Sequence, residues 1–270
     1  MKLIITSLIL SLAVSAEAQS NTFKPFADLL SNYVLENNLE NGGYETAFDY
    51  ASAKNDAKTS RILRRQDQIL KRFDTSTLTT KEAANAFYIN AYNYFMITKI
   101  IKDGFNNGVV VDGVKSFGSL LNPFKVFTQK EFDIGGKLHS LDEIEKEILL
   151  GSDFKSKGWK DARVHFAVNC ASVGCPPLIP QVYDASTIDA VLDDNVRKAF
   201  KTNRHLQIDG NTLRLTKLFD WYEKDFTDEA GSIKAYIKPY LDASKQSGLD
   251  KTNRIRFINY DWSLNIPANF

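Results

Sequence analysis

The chain has 270 residues, of which 43% are hydrophobic and 25% charged, a composition typical of globular proteins and unlike that of disordered, collagen-like or coiled-coil sequences. Its 34 Lys and Arg against 33 Asp and Glu give a formal net charge of +1, so it lacks the broad cationic surface on which sequence-independent nucleic-acid binding depends. Nucleic acid is therefore excluded as an expected partner.

The N-terminus has the order of a secretory signal peptide: Lys2, an apolar run over residues 3–14, and the small residues Ala16 and Ala18. An apolar run of about 12 residues is too short for a membrane-spanning helix, which needs roughly 20. We predict cleavage after Ala18 and export to a periplasm or to the outside of the cell. The mature chain, residues 19–270, is expected to be one globular domain without a transmembrane segment.

Two helical regions are predicted in the first part of the chain. Residues 24–73 carry apolar side chains at intervals of three and four, the period of a helix. Residues 79–103 follow capping threonines and end before Gly104, and their middle is apolar on all sides, which predicts a buried helix. Asn90 and Asn93 of this helix need hydrogen-bond partners, so they either attach a loop to the core or line a site.

Short strands are predicted at 109–111 and 132–139, the second folded into a hairpin at a pair of glycines. Ser140 and Glu143 then have capping-box spacing, which predicts the start of a helix over 141–150. This helix is followed by further predicted elements in the second half of the chain.

Residues 163–170 have the alternating pattern of a strand, and a helix over 186–202 follows. A hairpin is predicted over 205–216 around an Asp-Gly pair, which tolerates the positive φ of tight turns, and helices are predicted over 217–226 and 232–244. Many helices with few strands favour a helix-rich α+β fold with a small mixed β-sheet over a large doubly wound sheet.

Four motifs carry most of the unusual residue patterns. They are Asn90-Ala-Tyr-Asn93, Ser140-Leu-Asp-Glu-Ile-Glu145, the run Arg163-Val-His-Phe-Ala-Val-Asn-Cys-Ala-Ser-Val-Gly-Cys-Pro-Pro177, and Trp221-Tyr-Glu-Lys-Asp-Phe226. In this order they resemble the family called domain of unknown function 547 (DUF547), over about residues 80–240. The resemblance implies no settled activity. Members often have a histidine directly after the helix glutamate, where this chain has Lys146, so no role of that histidine is transferred.

The motif around Cys170 contains the residue types of a cysteine nucleophile, whose thiolate is prepared by an imidazole that a carboxylate or amide orients. On one strand, however, His165 and Cys170 would point to opposite faces and lie roughly 16 Å apart, at about 3.3 Å per residue. The resemblance favours His165 as the base. This pairing requires the chain to bend sharply after Asn169.

His139 offers a second route to the same chemistry. If strand 137–139, the helix after it and strand 163–169 form a βαβ unit, the two strands are parallel, and His139 and Cys170 lie at the same edge of the sheet. Glu145 of the crossover helix could approach both side chains. Both histidines are therefore candidate bases.

Two hypotheses for the function remain open. The leading one is a cysteine-dependent hydrolase or acyltransferase with a site laid out as in papain, built from Cys170 as the nucleophile, His165 or His139 as the base, Glu145 and the buried asparagines. Side chains in the same motifs are candidates for substrate binding, namely Asn90, Asn93, Asn169, Ser172, Cys175 and Tyr222.

The alternative is a non-catalytic periplasmic binding or interaction domain. An oxidising compartment lets Cys170 and Cys175 form a disulfide, which would staple the loop after the predicted strand. Either hypothesis expects an unidentified small molecule or peptide-like ligand and no cofactor. A metal site is not expected, because the three histidines and two cysteines show neither HxxxH nor CxxC spacing.

N-terminal sequencing of the exported protein is expected to begin at Gln19, because Ala16 and Ala18 are the small residues that a signal peptidase accepts. Exported material that still begins with Met1 would contradict the predicted cleavage.

Overall fold

A helix and a hairpin open the described part of the chain, which comprises residues 22–119 and 121–269 of a computed structural model. Helix α1 (Lys24–Tyr33) runs directly into strand β1 (Val34–Asn38), which pairs antiparallel with β2 (Tyr44–Phe48). The predicted signal peptide and its cleavage point lie outside the described residues.

The prediction of helix throughout residues 24–73 is wrong at this hairpin. The chain returns to helix only afterwards, in α2 (Tyr50–Asn55) and α3 (Ala57–Lys71). The turn between the strands contains Gly42 at φ 75°, a conformation that a helix cannot contain and that glycine adopts without steric cost. Because apolar residues recur at helical spacing on both sides of the turn, the sequence pattern did not reveal the hairpin.

The long buried helix is confirmed as α4 (Lys81–Asp103). Its N-terminus is capped by Thr80, whose Oγ1 accepts a hydrogen bond from the backbone N–H of Ala83 at 3.1 Å, and Gly104 follows its last turn. Because α4 is surrounded by other elements, most of its side chains are buried on every face.

Asn90 and Asn93 of α4 attach two later segments to this helix. Asn90 accepts a hydrogen bond from the Tyr183 N–H at 2.9 Å and donates to the Tyr183 carbonyl at 2.8 Å. Asn93 accepts from the Asn169 N–H at 2.8 Å and donates to the Ala167 carbonyl at 2.9 Å. The sequence left two roles open for these asparagines, attaching a loop to the core or lining a site. The observed contacts are those of loop attachment.

Two small hairpins follow α4; the second was expected, whereas only one strand of the first was. Strands β3 (Phe105–Asn106) and β4 (Val109–Val110) form the first. After the short helix α5 (Lys125–Thr128), strands β5 (Phe132–Ile134) and β6 (Lys137–His139) form the second. The turn of the second hairpin is made by the two glycines, with φ of 61° and 81°.

The capping box after β6 is confirmed, although the helix that it starts is unusual. The Glu143 N–H donates to the Ser140 Oγ at 3.0 Å, and the Ser140 N–H donates to the Glu143 carboxylate at 3.4 Å. The helical residues Glu143–Leu149 then form a π-helix, the widened form that is common at functional sites. Helix α6 (Ser152–Ser156) follows.

The predicted strand 163–170 is wrong, because Ala162–Phe166 form a 3-10 helix. The Asp161 carboxylate accepts a hydrogen bond from the Arg163 N–H at 3.0 Å and caps this helix. The βαβ unit is therefore also wrong: β5 and β6 pair antiparallel with each other, and no parallel strand follows the π-helix before residue 200.

The second half of the chain has helices in the predicted regions 186–202, 217–226 and 232–244 and the expected hairpin, but the helix over Ala243–Lys251 and one strand were missed. Helix α7 (Ile188–Ala199) precedes the hairpin of β7 (Leu206–Asp209) and β8 (Thr212–Leu215), and β9 (Arg254–Phe257) pairs in parallel with β8. Between β8 and β9 lie four helices, namely α8 (Leu218–Trp221), α9 (Glu223–Ala230), α10 (Ile233–Ile237) and α11 (Ala243–Lys251). The fold is thus α+β and helix-rich, with a small mixed sheet, as predicted.

The apolar residues form two clusters that meet at the 3-10 helix. The first cluster surrounds α4, and the second lies between α7, the mixed sheet and α8–α10. Val164 of the 3-10 helix packs in the first cluster, whereas Ala162 and Phe166 pack in the second. His165 is consequently held at the boundary between the two.

The C-terminal segment crosses back over this boundary. Isolated bridges pair Ser263 with Gly113 and Leu264 with Ser172. The Val173 N–H also donates to the Ser263 carbonyl at 2.9 Å. Within the described ranges, no helix is long and apolar enough to cross a membrane.

The Asn90→Leu variant is expected to lower the free energy of unfolding by about 1–3 kcal/mol more than Asn203→Leu, because it leaves two buried backbone groups of Tyr183 without partners. Asn203 is exposed and serves as the matched control. Urea unfolding measures both values, and equal losses would contradict the proposed attachment.

Candidate functional site

A cleft of about 630 Å³ opens where the two apolar clusters meet. Phe, Tyr and Trp side chains form a large part of its wall, and the polar residues in it are Thr128, Asp142, Glu145, Lys146 and His165. The π-helix contributes Glu145, the 3-10 helix contributes His165, and the loop after it contributes Cys170 and Cys175. Such a concave, mostly apolar cavity with a few convergent polar groups is typical of a small-molecule site.

His165 is fully buried at one wall of the cleft, and one of its ring nitrogens is firmly bound. Its Nε2 lies 2.9 Å from Asp225 Oδ2, and the Asp225 carboxylate also pairs with Lys160. Burial opposes ionisation of Asp225, but the hydrogen bonds from His165 and Lys160 outweigh it and keep the pKa of this carboxyl below its ordinary value. A carboxylate only accepts hydrogen bonds, so the proton of a neutral His165 is on Nε2.

The other nitrogen of His165 faces Glu145. Nδ1 has no hydrogen-bond partner among the described residues, and it lies 3.9 Å from Glu145 Oε1. In the neutral ring fixed by Asp225, this nitrogen is a free acceptor. The sequence predicted both residues for the candidate site, although it indicated an approach of Glu145 to His139 and Cys170 instead.

Glu145 is buried, and burial raises the pKa of its carboxyl despite the opposing effects of His165 and of a hydrogen bond from the Tyr222 hydroxyl. The Tyr222 ring stacks on the His165 ring, with the two centroids 4.0 Å apart. Glu145, His165, Tyr222 and Asp225 thus form one connected polar group, which we call the acid–histidine cluster. Perturbed carboxyls in a cleft are typical of functional sites.

Cys170 and Cys175 form a disulfide in the wall of the same cleft. The Tyr260 hydroxyl lies 3.1 Å from Cys170 Sγ and 3.0 Å from Cys175 Sγ, and the Cys170 N–H donates to Cys175 Sγ at 3.0 Å. The sharp bend that the sequence required after Asn169 is present, since Ala171 has a positive φ of 62°.

The bend brings His165 and Cys170 into one cleft but not into a hydrogen-bonded pair. The polar side chains that contact Cys170 Sγ within the described ranges are Ser172 and Tyr260, besides the bridge to Cys175. The expected cysteine–histidine pair is therefore not formed in this structure.

The route through His139 is wrong. With the βαβ unit absent, His139 ends a hairpin strand, where its Nδ1 lies 3.7 Å from Glu143 Oε2. His139 is not among the described residues that line the cleft. Burial lowers the pKa of its imidazole, which is consistent with a neutral structural histidine.

The predicted substrate-binding residues divide into two groups. Cys175 and Tyr222 line the cleft, whereas Asn90, Asn93, Asn169 and Ser172 are buried and are not among the described residues that line it. Asn169 accepts a hydrogen bond from the Ala171 N–H and donates to the Pro176 carbonyl, both at 2.8 Å. Asn169 thus shapes the loop that carries the cysteines.

Three residues of the cleft region, Tyr260, Trp262 and Asp225, were missed by the sequence interpretation as site residues. Tyr260 and Trp262 come from the C-terminal segment, and their rings lie 4.5 Å apart. Asp225 stands three residues after Tyr222, which caps the helix that carries Asp225, and this short spacing could have indicated that the two residues are close. Among the residues that the structure describes, no group of three or more His, Cys, Asp and Glu could hold a metal ion.

Residues 75–200 match the model of a family described as "Protein of unknown function, DUF547". The DUF547 resemblance is confirmed. The match includes Glu145, His165 and both cysteines, whereas the Trp221–Phe226 motif and the C-terminal segment lie outside it. Comparison with curated proteins and with solved structures found no match.

The Glu145→Gln variant is expected to change how stability depends on pH. A carboxyl whose pKa is raised by folding stabilises the native state below its ordinary value of 4.5, and this contribution is lost as pH rises through the folded pKa. Wild type should therefore lose stability relative to Glu145→Gln as pH rises from 4.5 towards neutrality.

Urea unfolding at several pH values measures this difference. Glu147→Gln, an exposed glutamate of the same π-helix, is the control and should follow wild type at every pH. A pH-independent difference between wild type and Glu145→Gln would contradict the raised pKa.

Proposed function

We propose that this chain is an exported binding domain whose cleft takes a small ring-bearing ligand and whose Cys170–Cys175 disulfide staples the cleft wall. One observation carries the proposal: the sulfur that a cysteine hydrolase needs as its nucleophile is bonded to a second sulfur, inside a mostly apolar cleft that is rich in aromatic residues. The volume of about 630 Å³ lies within the range of small-molecule sites, roughly 300–1,000 Å³.

The aromatic wall supports a flat, apolar ligand. The rings of Trp221 and Trp262 are stacked with centroids 5.7 Å apart, and the Tyr260 ring lies 4.9 Å from Trp221 and 4.5 Å from Trp262. Trp221 is 44% exposed although it packs beside a core. An exposed ring beside other rings offers a face on which a ligand ring can stack.

The acid–histidine cluster favours a ligand that carries a hydroxyl group. The distance of 3.9 Å between His165 Nδ1 and Glu145 Oε1 is too long for a direct hydrogen bond and leaves room for a bridging hydroxyl. A hydroxyl donates to the free nitrogen of His165 and accepts from a protonated Glu145 carboxyl. We therefore infer a hydroxylated ring, such as a sugar or a phenol, as the ligand class.

Export rests on the signal-peptide pattern of the first 18 residues. It is consistent with the disulfide, because oxidising compartments allow such bridges to persist.

Isothermal titration calorimetry with phenyl glucoside, which has both a ring and hydroxyls, tests this proposal. We expect one saturable site, with affinity lowered about tenfold in Trp262→Ala, since loss of a stacking ring is worth about 0.5–1.5 kcal/mol beyond buried area. Glu145→Leu should also weaken binding, because it removes the polar anchor.

Trp159→Phe is the matched control for the tryptophan variant. Trp159 packs against Phe154, with centroids 5.5 Å apart, and is not among the described residues of the cleft. Equal affinities in wild type and Trp262→Ala, or the absence of saturable binding, would contradict the proposed site.

A second candidate is the cysteine-dependent hydrolase or acyltransferase, acting after reduction of the disulfide. It is favoured by one observation: His165, oriented by Asp225, shares the cleft with Cys170. Reduced protein should then hydrolyse 4-nitrophenyl acetate, and Cys170→Ser should abolish this activity. Activity that is equal in oxidised, reduced and Cys170→Ser protein would remove the candidate.

A further inference from the structure

The disulfide lies in a solvent-reached wall rather than inside a core. Both sulfur-bearing residues line the cleft, and Cys170 is only half-buried, whereas Cys175 is 8% exposed. We infer that Cys170–Cys175 is a thiol–disulfide exchange site that oxidises a dithiol ligand. This activity goes beyond the proposed binding function and does not require a ring-bearing ligand.

The surroundings of the two sulfurs differ, and this difference assigns their roles. The Tyr260 hydroxyl contacts both sulfurs, but Cys175 Sγ also accepts a hydrogen bond from the Cys170 N–H at 3.0 Å, whereas the further polar contact of Cys170 Sγ is the Ser172 hydroxyl at the longer distance of 3.5 Å. Hydrogen-bond donors stabilise a thiolate, so Cys175 is the sulfur that leaves with the electron pair. Cys170, the more exposed residue, is the one that an incoming thiolate reaches.

Tyr260 is placed to serve both sulfurs during exchange. Its hydroxyl is within 3.1 Å of each sulfur, and its single proton can turn to the one that carries charge. Burial raises the pKa of this phenol, so it stays protonated and remains a donor. The Trp221 and Trp262 rings pack against Tyr260 and hold it in place.

The loop between the cysteines is held in a conformation that does not depend on the bridge alone. Ala171, between them, has a φ of 62°, which non-glycine residues adopt only when their surroundings fix it. Its N–H donates to Asn169 Oδ1 at 2.8 Å, and its carbonyl accepts from the Asn265 N–H at 2.9 Å. These bonds remain when the disulfide opens, so the two sulfurs stay near each other and the bridge can form again.

The exchange proceeds in two substitutions at sulfur. A ligand thiolate attacks Cys170 Sγ, a ligand–Cys170 disulfide forms, and the Cys170–Cys175 bond breaks with its electron pair leaving on Cys175. The second ligand thiolate then attacks the ligand sulfur of this mixed disulfide, which closes the ligand disulfide and releases Cys170 as a thiolate.

The two protons that the ligand thiols give up end on Cys170 and Cys175, so the ligand loses two electrons and the protein disulfide gains them. The reverse reaction with another disulfide, such as oxidised glutathione, restores the bridge.

The first test follows reduction of the folded mature chain by dithiothreitol, with thiols counted over time. We expect Tyr260→Phe to slow this reduction about tenfold, because the variant keeps the ring and loses only the donor, and one charge-assisted hydrogen bond is worth roughly 1.4 kcal/mol or more. Tyr240→Phe, a half-buried tyrosine of a different region, is the control and should react as wild type does.

The second test separates the two cysteines with oxidised glutathione as the probe. Cys175→Ser should form a mixed disulfide at Cys170 at least about tenfold faster than Cys170→Ser forms one at Cys175, since access governs the attack. Mass spectrometry identifies the adducts, and phenyl glucoside binding on the same samples reports separately on the proposed binding function.

Three results would overturn exchange and leave a structural staple. They are a wild-type disulfide that dithiothreitol reduces only after unfolding, equal reduction rates for Tyr260→Phe and wild type, and equal adduct rates for the two serine variants. If a serine variant fails to fold, the comparison of wild type with Tyr260→Phe still decides the question.

Discussion

The attachment of the backbone around Ala167 and Asn169 to Asn93 is the constraint on which the rest of the site depends. A buried peptide group must be paired, and the two hydrogen bonds of Asn93 satisfy an N–H and a C=O in a segment that has no strand beside it. The 3-10 helix ends just before this point, and the cysteine loop begins just after it. The position of one asparagine therefore fixes both His165 and the disulfide relative to α4.

In the acid–histidine cluster, burial and pairing shift the pKa values of two neighbouring carboxyls in opposite directions. Asp225 is ionised because a lysine and an imidazole both donate to it, whereas Glu145, with fewer charged partners, has a raised pKa. His165 lies between them, so its two nitrogens experience opposite surroundings. Because of this asymmetry, Nδ1 of His165 remains a hydrogen-bond acceptor directed at the cleft. The asymmetry is produced entirely by residues from three separate elements.

Local signals in the sequence predicted a large part of the fold. The capped helix α4, the capping box at Ser140 and the glycine hairpin before it depend on neighbouring residues and were correct. The strand at 163–170 failed because alternating apolar residues fit a sheet, while here alternate residues of a 3-10 helix enter two different clusters. Likewise, the sequence brought Glu145, His165 and the cysteines together but missed Tyr260 and Trp262, since their approach depends on a distant segment crossing the fold.

The return of the C-terminal segment to the cleft determines which fragments of this protein can contain the whole site. The bridges from Ser263 and Leu264 reach the loop before α5 and the cysteine loop, and the rings beside them close the cleft. The family match ends at residue 200, so it leaves out most of the second cluster and all of this segment. A fragment cut at the limits of the match would keep the histidine, the glutamate and both cysteines but would lose part of the cleft wall, namely Leu218, Trp221, Tyr222, Tyr260 and Trp262. The region that the family model matches is thus smaller than the region whose residues enclose the site.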